Sequence, residues 1–206
     1  MRQMRFSLVG GHKSLENIVY TGHFEETSVT VSVVVLTYNE ELNLPHCLKA
    51  LQWAEEVFVL DSGSTDRTRE IACSFGNVRL FHNPWHGYAQ QRQWALDNLP
   101  FSYEWVFFVD ADEIVTERLA EEVKRRVGKE RFRGYWVPRR LVFLGRKLRY
   151  GGSYPAAEMR ILHIPSARYD LSGSRYEAKV ILDGPSGWMC NYMLHHDRRP
   201  LSHYFD

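Results

Sequence analysis

Asp110-Ala111-Asp112 is the stretch of this sequence best suited to chemistry. On an extended segment, alternate side chains point the same way, so the two carboxylates can share one face. Such a pair offers hard oxygen ligands to Mg²⁺ or Mn²⁺ and leaves positions for water and a diphosphate. The same residues also suit a helix start, where Asp112 and Glu113 would meet the positive end of the helix dipole. Asp61-Ser62-Gly63-Ser64-Thr65-Asp66 is a second acidic cluster. Asp61 can accept hydrogen bonds from a ribose or a base, and Gly63 allows a tight turn and close ligand approach. Ser64 or Asp66 can also cap the helix that follows. In Thr37-Tyr38-Asn39-Glu40, Thr37 and Tyr38 can cradle a nucleobase, Tyr38 with a stacking face. A capped strand-to-helix turn explains that tetrapeptide equally well. Arg92 can pair with a strand-end carboxylate or reach a phosphate. His195-His196-Asp197 invites a metal reading, but adjacent histidines on an extended segment face opposite ways and make poor joint ligands.

These clusters need elements to position them. Val29–Leu36, Val57–Leu60, Val78–Phe81 and Trp105–Val109 are short apolar runs of strand length. Leu44, Leu48 and Leu51 recur at helical spacing behind Pro45, which suits a first turn. Further helices are expected from Ser64 or Asp66 to Phe75, ended by Gly76, then over 88–98, and from about Thr116 to Val127. Strand–helix alternation at this pitch implies a mostly parallel α/β sheet with helices on both faces. Ligands bind such sheets beyond the carboxyl ends of the strands, which is where the acidic clusters fall. After about Arg131 the rhythm changes. Tyr135–Phe143 and Leu148–Tyr150 read as strands around Gly145, in a mixed, more irregular half packed on the same sheet. Residues 1–28 read as an extension, and 29–206 as one domain with halves 29–128 and 129–206. The last residues resemble the opening of a helix and not its end, which leaves open whether the native product continues.

The 206 residues carry 26 Lys+Arg against 25 Asp+Glu, a formal net charge of +1, so no bulk attraction to nucleic acid is expected. No apolar run approaches the roughly 20 residues of a membrane-spanning helix, and no early apolar core of signal-peptide length is present. Cys47, Cys73 and Cys190 are scattered, with no disulfide or zinc spacing, and a reducing cytoplasm is the expected compartment. A dinucleotide-binding or nucleotidyltransferase loop would need glycines after the first strand, where Thr37–Leu42 has none.

Val33–Glu41, Asp61–Asp66 and Asp110–Glu113, taken in that order, resemble the family 2 glycosyltransferases with a GT-A fold. Within them the chain is similar to lipopolysaccharide core β-glucosyltransferases, over about residues 29–200, with Tyr88–Leu96 fitting the helix between the later clusters. The resemblance implies an inverting transferase using a nucleotide-diphosphate sugar, UDP-glucose by first analogy, with Mn²⁺ or Mg²⁺. It implies that Thr37, Tyr38, Asn39 and Glu40 line the nucleoside pocket and that Asp61, with Gly63, contacts base or ribose. Arg92 would support the nucleotide, Asp110 and Ala111 would face ribose or sugar, and Asp112 would ligate the metal. His195 would approach the metal or diphosphate, as a C-terminal histidine does in some related transferases. Tyr154–Leu162 resembles a family segment in which Ala156 and Ala157 stand for the usual Asp and Trp, and Tyr176-Glu177 stands where the family has His-Glu.

Single displacement needs a base for the acceptor hydroxyl. The resemblance points to Glu177, then Asp170, then Glu158. The acceptor is expected to be a saccharide or lipid-linked glycan of the bacterial surface. Lys129–Arg149 carries eight Lys/Arg against one acidic residue, and suits either a solvated face or peripheral contact with the inner face of the cytoplasmic membrane. The altered positions 156, 157 and 176 also allow a catalytically degenerate, scaffold reading.

Overall fold

The structure, a computed structural model, describes residues 31–143, 145–148 and 156–200. The extension read at 1–28, the Tyr154-Pro155 pair and the stretch from Leu201 lie outside the described residues.

Four strands, β1 (Ser32–Thr37), β2 (Val57–Asp61), β3 (Val78–His82) and β4 (Trp105–Asp110), run parallel in the order β3-β2-β1-β4. Every residue of β1 is buried, as expected of a strand covered on both faces. Its alternation feeds two cores. Val33 and Val35 pack with Leu44 and Leu48 of α1 (Leu44–Ala50), Ala72 of α2 (Thr68–Cys73) and Leu119 and Val123 of α4 (Glu117–Arg126). Val34 and Leu36 point the other way, toward Ala89 and Ala95 of α3 (Tyr88–Asn98). Helices therefore cover both faces, and each buried Val or Leu contributes about 1.5–3 kcal/mol.

The sheet then continues in the second half of the chain. β8 (Ala156–His163) runs antiparallel to β4, and β6 (Gly134–Phe143) antiparallel to β8. β12 (Met193–His195) lies parallel to β6 and antiparallel to β5 (Glu113–Val115). β7 (Arg146–Lys147) and β11 (Ser186–Trp188) also pair with β6. β9 (Ala167–Tyr169) and β10 (Val180–Leu182) form a separate antiparallel pair. Among the described residues no helix is long and apolar enough to cross a membrane.

Three local expectations need correction. The helix expected to run to Phe75 stops at Cys73, because the backbone N–H and hydroxyl of Ser74 both donate to the Ile71 carbonyl. Gly76 does not take up the left-handed conformation of a helix-ending glycine. Leu148, expected to open a strand, follows β7 (Arg146–Lys147), which pairs across the hairpin to Val142 and Phe143; Arg149 and Tyr150 of that expected strand lie outside the described residues.

Register decides where the clusters go. Thr37 stands opposite Asp61, Asp61 opposite His82, and Leu36 opposite Asp110. The polar ends of the parallel strands thus finish at one rim.

Candidate active site

At that rim lies a cleft of about 1290 Å³. From the carboxyl ends of β1, β2 and β4 it is lined by Thr37, Tyr38, Glu40, Ser62, Asp110, Ala111 and Asp112. From α3 and the loop before it come Trp85, Tyr88 and Arg92, and from the second half come Arg139, Glu158, Arg160, Tyr176, Glu177, His195 and Arg199.

The first wall is a hydrogen-bonded lock between the loops after β1 and β2. Asp61 is fully buried, and its carboxylate accepts from the backbone N–H groups of Gly63 (3.1 Å) and Ser64 (3.0 Å) and from the Thr37 hydroxyl (3.3 Å). The Ser64 hydroxyl also donates to it. Gly63 makes this turn possible with φ of 101°. Asn39 is the one non-glycine with positive φ among the described residues. Its side-chain oxygen accepts from Thr65 N–H (2.9 Å), and its own N–H donates to the Ser64 hydroxyl (2.8 Å). Asp61, Gly63 and Asn39 therefore build the wall and do not line the cleft, whereas Thr37, Tyr38 and Glu40 do. Asp66 joins the lock, accepting from Glu41 N–H and from Thr68 N–H in the first turn of α2. The capping expected of Ser64 is absent because its hydroxyl is committed to Asp61.

The Asp-Ala-Asp segment differs from its expected geometry. Only Asp110 belongs to β4. Ala111 and Asp112 form a turn, so the strand alternation expected to align the two carboxylates stops at Asp110, although both residues line the cleft. Asp110 receives Arg92 at 2.8 Å and a two-pronged contact from Arg160 at 3.1 and 2.6 Å. Burial would raise its carboxyl, but Arg160 and then Arg92 outweigh that and hold it well below the usual carboxylate range. Glu113 is not a helix cap. It lies fully buried in β5, and its carboxylate accepts from the Asp110 N–H and from Arg160. Burial raises its carboxyl despite Arg160. The helix cap is Thr116, whose hydroxyl accepts from Leu119 N–H.

Arg160 is the hub of this region. It is 2% exposed and contacts Asp110, Glu113 and Glu158. Its neighbour Arg139 reaches Glu158 at 2.6 Å and Glu113 at 3.4 Å. Sequence reasoning did not single out Arg160, Glu113 or Arg139 as an ion-pair cluster. The available signal was a charged residue within an otherwise apolar strand, Arg160 before Ile161-Leu162 and Glu113 before Ile114.

Asp112 turns toward β12, where the His195 Nε2 lies 3.1 Å from its Oδ2. The hydrogen bond to Asp112 raises the imidazole against the lowering effect of burial. A carboxylate and an imidazole nitrogen on the cleft fit part of a Mn²⁺ or Mg²⁺ shell, the rest being open to water and phosphate oxygens. No grouping of three or more such side chains occurs among the described residues. His196 points its backbone N–H at the Asp112 carbonyl, in keeping with the opposed faces of the pair.

Glu40 is the other unusual carboxyl. Burial pushes it up to about 7, partly countered by a hydrogen bond from Asn43 and by Arg199. Fully buried Asn43 also donates to Asp197 and accepts from Arg198 N–H, which pins the stretch after β12 to the first loop. Glu177 is exposed at the cleft. Asp170 lies off the lining, with one carboxylate oxygen accepting from the Ser172 N–H and hydroxyl. Ala156 and Ala157 pair with Arg139 and Pro138 and are likewise off the lining.

A mostly parallel sheet with a charged cleft across its strand ends, extended by an antiparallel half, is the GT-A architecture of glycosyltransferases. The chain belongs to glycosyltransferase family 2, matching Glycosyl transferase family 2 over residues 32–184. It is 31% identical over 155 residues to the lipopolysaccharide core biosynthesis glycosyltransferase LpsC of Rhizobium meliloti (strain 1021), a match covering 73% of this chain and 57% of that protein. With the glycosyltransferase GlyG of Streptococcus pneumoniae serotype 4 it shares 33% identity over 111 residues, 48% of this chain and 36% of GlyG. The chain thus spans little more than half of LpsC and about a third of GlyG. In fold it is similar to S. aureus TarS 1–349, with a TM-score of 0.52, 21% identity, and coverage of 66% of this chain and 47% of that one.

Proposed function

We propose that the chain carries the catalytic region of an inverting glycosyltransferase that moves a hexose from a nucleotide-diphosphate sugar, UDP-glucose as first choice, to a saccharide or lipid-linked acceptor in surface-glycan synthesis. The observation that carries this is the meeting of Thr37–Glu40, Asp110–Asp112, Glu177 and His195 around one cleft. TarS, of the same fold, has been crystallised with UDP-GlcNAc, which supports a nucleotide-sugar donor.

In this reading Tyr38, 58% exposed, offers its ring to the base, while the Asp61 lock holds Thr37 and Tyr38 in place. Asp110, kept ionised by Arg160 and Arg92, faces ribose or sugar hydroxyls as a fixed acceptor. Asp112 and His195 would hold Mn²⁺ or Mg²⁺, which when bound neutralises charge on the departing nucleotide diphosphate. Glu177 takes the proton of the attacking acceptor hydroxyl as the bond to the sugar carbon forms. Glu158 suits this less, because Arg139 and Arg160 occupy its oxygens. Asp170, off the cleft, suits it less still.

The basic segment is narrower as a membrane contact than its composition suggests. Arg139 is in the ion-pair hub and Arg140 lies over the Tyr192 ring at 4.3 Å, whereas Lys129, Arg131 and Arg133 are exposed, as are Phe143, Arg146 and Lys147 on the β6–β7 hairpin. Peripheral contact on the cytoplasmic side would use that hairpin. Co-sedimentation with anionic vesicles that is unchanged by Lys147→Glu would discard it.

The test of the main reading is UDP release from UDP-glucose, with and without Mn²⁺, together with UDP binding. Asp112→Ala should lower metal-dependent release by at least about a hundredfold, of the order lost with one electrostatic stabiliser. Normal release from that variant, or no metal-dependent nucleotide binding by the wild type, would favour a scaffold.

A further inference from the structure

The cleft holds a second aromatic feature, away from Tyr38. Trp85 and Tyr88 form a corner, their ring centroids 4.8 Å apart and their planes at 85°. Both rings are 38% exposed, and both line the cleft. Tyr176, 75% exposed, faces the same space from the loop between β9 and β10. Large rings left open to water inside a concave site forgo the burial that ordinarily stabilises them, which is the usual mark of a binding surface.

The corner is built and not incidental. The Tyr88 N–H donates to the Arg175 carbonyl at 2.8 Å, tying the start of α3 to the 171–179 loop. Gly87 has φ of 140°, and a Cβ there would stand 3.0 Å from both the Arg175 Cα and its carbonyl oxygen. Only glycine permits both this backbone conformation and this approach. On its inner side Tyr88 carries the Arg92 guanidinium, 5.5 Å from the ring centroid, and Arg92 in turn holds Asp110. The corner is thereby fixed relative to the acidic centre.

The chemistry of the corner selects among ligands. At about 1290 Å³ the cleft exceeds the roughly 300–1,000 Å³ of a site for one small molecule, so there is space beyond a single donor. Flat apolar faces flanked by hydrogen-bonding groups, here Glu177 and Lys179, suit a ring with a C–H face and a hydroxyl rim. We propose that Trp85, Tyr88 and Tyr176 form a subsite that stacks an uncharged pyranose ring of the acceptor, presenting its hydroxyl to Glu177. This rests on the transferase reading only in calling that ring the acceptor; saccharide binding at the corner stands without it.

The test uses the whole chain and two independent readouts. In ligand-observed saturation-transfer NMR with methyl β-D-glucopyranoside, irradiating aromatic protons should label the ring C–H protons. Tyr176→Ala and Trp85→Ala should each weaken binding about tenfold, whereas Tyr176→Phe should match the wild type, since the ring and not the hydroxyl is needed. UDP affinity, measured separately, should not move in either alanine variant. Absence of transfer in the wild type, or equal transfer in Tyr176→Ala, overturns the subsite. Loss of UDP-glucose affinity in the alanine variants with methyl glucoside binding unchanged would assign the corner to the donor sugar and overturn the acceptor assignment. Failure of UDP to bind at all would sink the transferase reading and leave the saccharide result to be judged alone.

Discussion

On the wall made by the loops after β1 and β2, side chains and backbone are bonded to one another: Asp61 to Thr37, Gly63 and Ser64, Asn39 to Thr65, Asp66 to Glu41 and Thr68. On the opposite wall every residue from Leu171 to Glu177 is exposed, and the loop is held by single contacts such as Arg175 to Tyr88. The first wall has given up its freedom during folding, so a ligand meeting it is spared that cost. The second keeps rotamer freedom that a ligand must remove. A rigid wall suits a partner that never varies and an open one suits partners that do, the division that the proposed nucleotide-sugar donor and saccharide acceptor would require.

The comparison breaks most sharply at the ion-pair hub beneath the rigid side. Arg160→Met leaves Asp110, Glu113 and Glu158 without their shared cation, and Glu113 is fully buried. Removing one partner of a buried pair costs about 3–5 kcal/mol. Urea unfolding should show that loss, and a variant as stable as the wild type would mean the hub is not what fixes Asp110. Asp61→Ala comes next. It leaves the Gly63 and Ser64 N–H groups without their acceptor in a half-buried turn, where a fully buried donor would cost about 1–3 kcal/mol and these cost less. Stability and UDP affinity should fall together, because Asp61 acts by holding the loop; a loss of affinity alone would make it a direct ligand contact.

Glu40 gives a smaller, pH-dependent effect. Its folded-state carboxyl, pushed up to about 7 from an ordinary 4.5, is neutral where the unfolded chain has begun to ionise. Its contribution is therefore complete below pH 4.5 and is lost as pH rises through 7. Glu40→Gln keeps a neutral side chain at every pH. The variant should match the wild type near pH 4.5 and exceed it near pH 8 by on the order of 2 kcal/mol, since a tenfold change in proton affinity is worth about 1.4 kcal/mol. Equal stability at both pH values would show that Arg199 keeps Glu40 ionised.

What the sequence made legible follows the same division. β1, β2 and β4 were readable because β-branched and aromatic runs are covered on both faces, and α4 because Leu119, Ala120 and Val123 recur at helical spacing between charged residues. The convergence of three distant clusters followed from parallel topology alone. β5, β11 and β12 were not readable, since three residues carry no period. Arg160 was missed for a related reason. Its partners lie about fifty residues earlier, and only the antiparallel placement of β8 beside β4 brings them together. The turn-holding part of Asp61 was also open to a local rule: an Asp just ahead of a Gly-Ser pair readily accepts from the backbone of its own turn. That signal was in the sequence.

The smallest effect on stability is expected where the largest effect on turnover is. Glu177 is exposed, and its backbone N–H, bonded to the Ser174 carbonyl, is untouched by a side-chain change. Glu177→Gln should shift stability by less than about 0.5 kcal/mol, as surface substitutions do. If the side chain accepts the acceptor proton, the amide cannot, and UDP release coupled to glycosyl transfer should fall by about 10²–10⁴-fold while UDP affinity stays within twofold. The loop bearing it would then carry the chemistry at almost no cost to folding, the reverse of the Asp61 wall. A fall in affinity equal to the fall in rate would place Glu177 among the binding groups, and the base would have to be sought at Glu158, the other carboxylate that reaches the cleft from the second half.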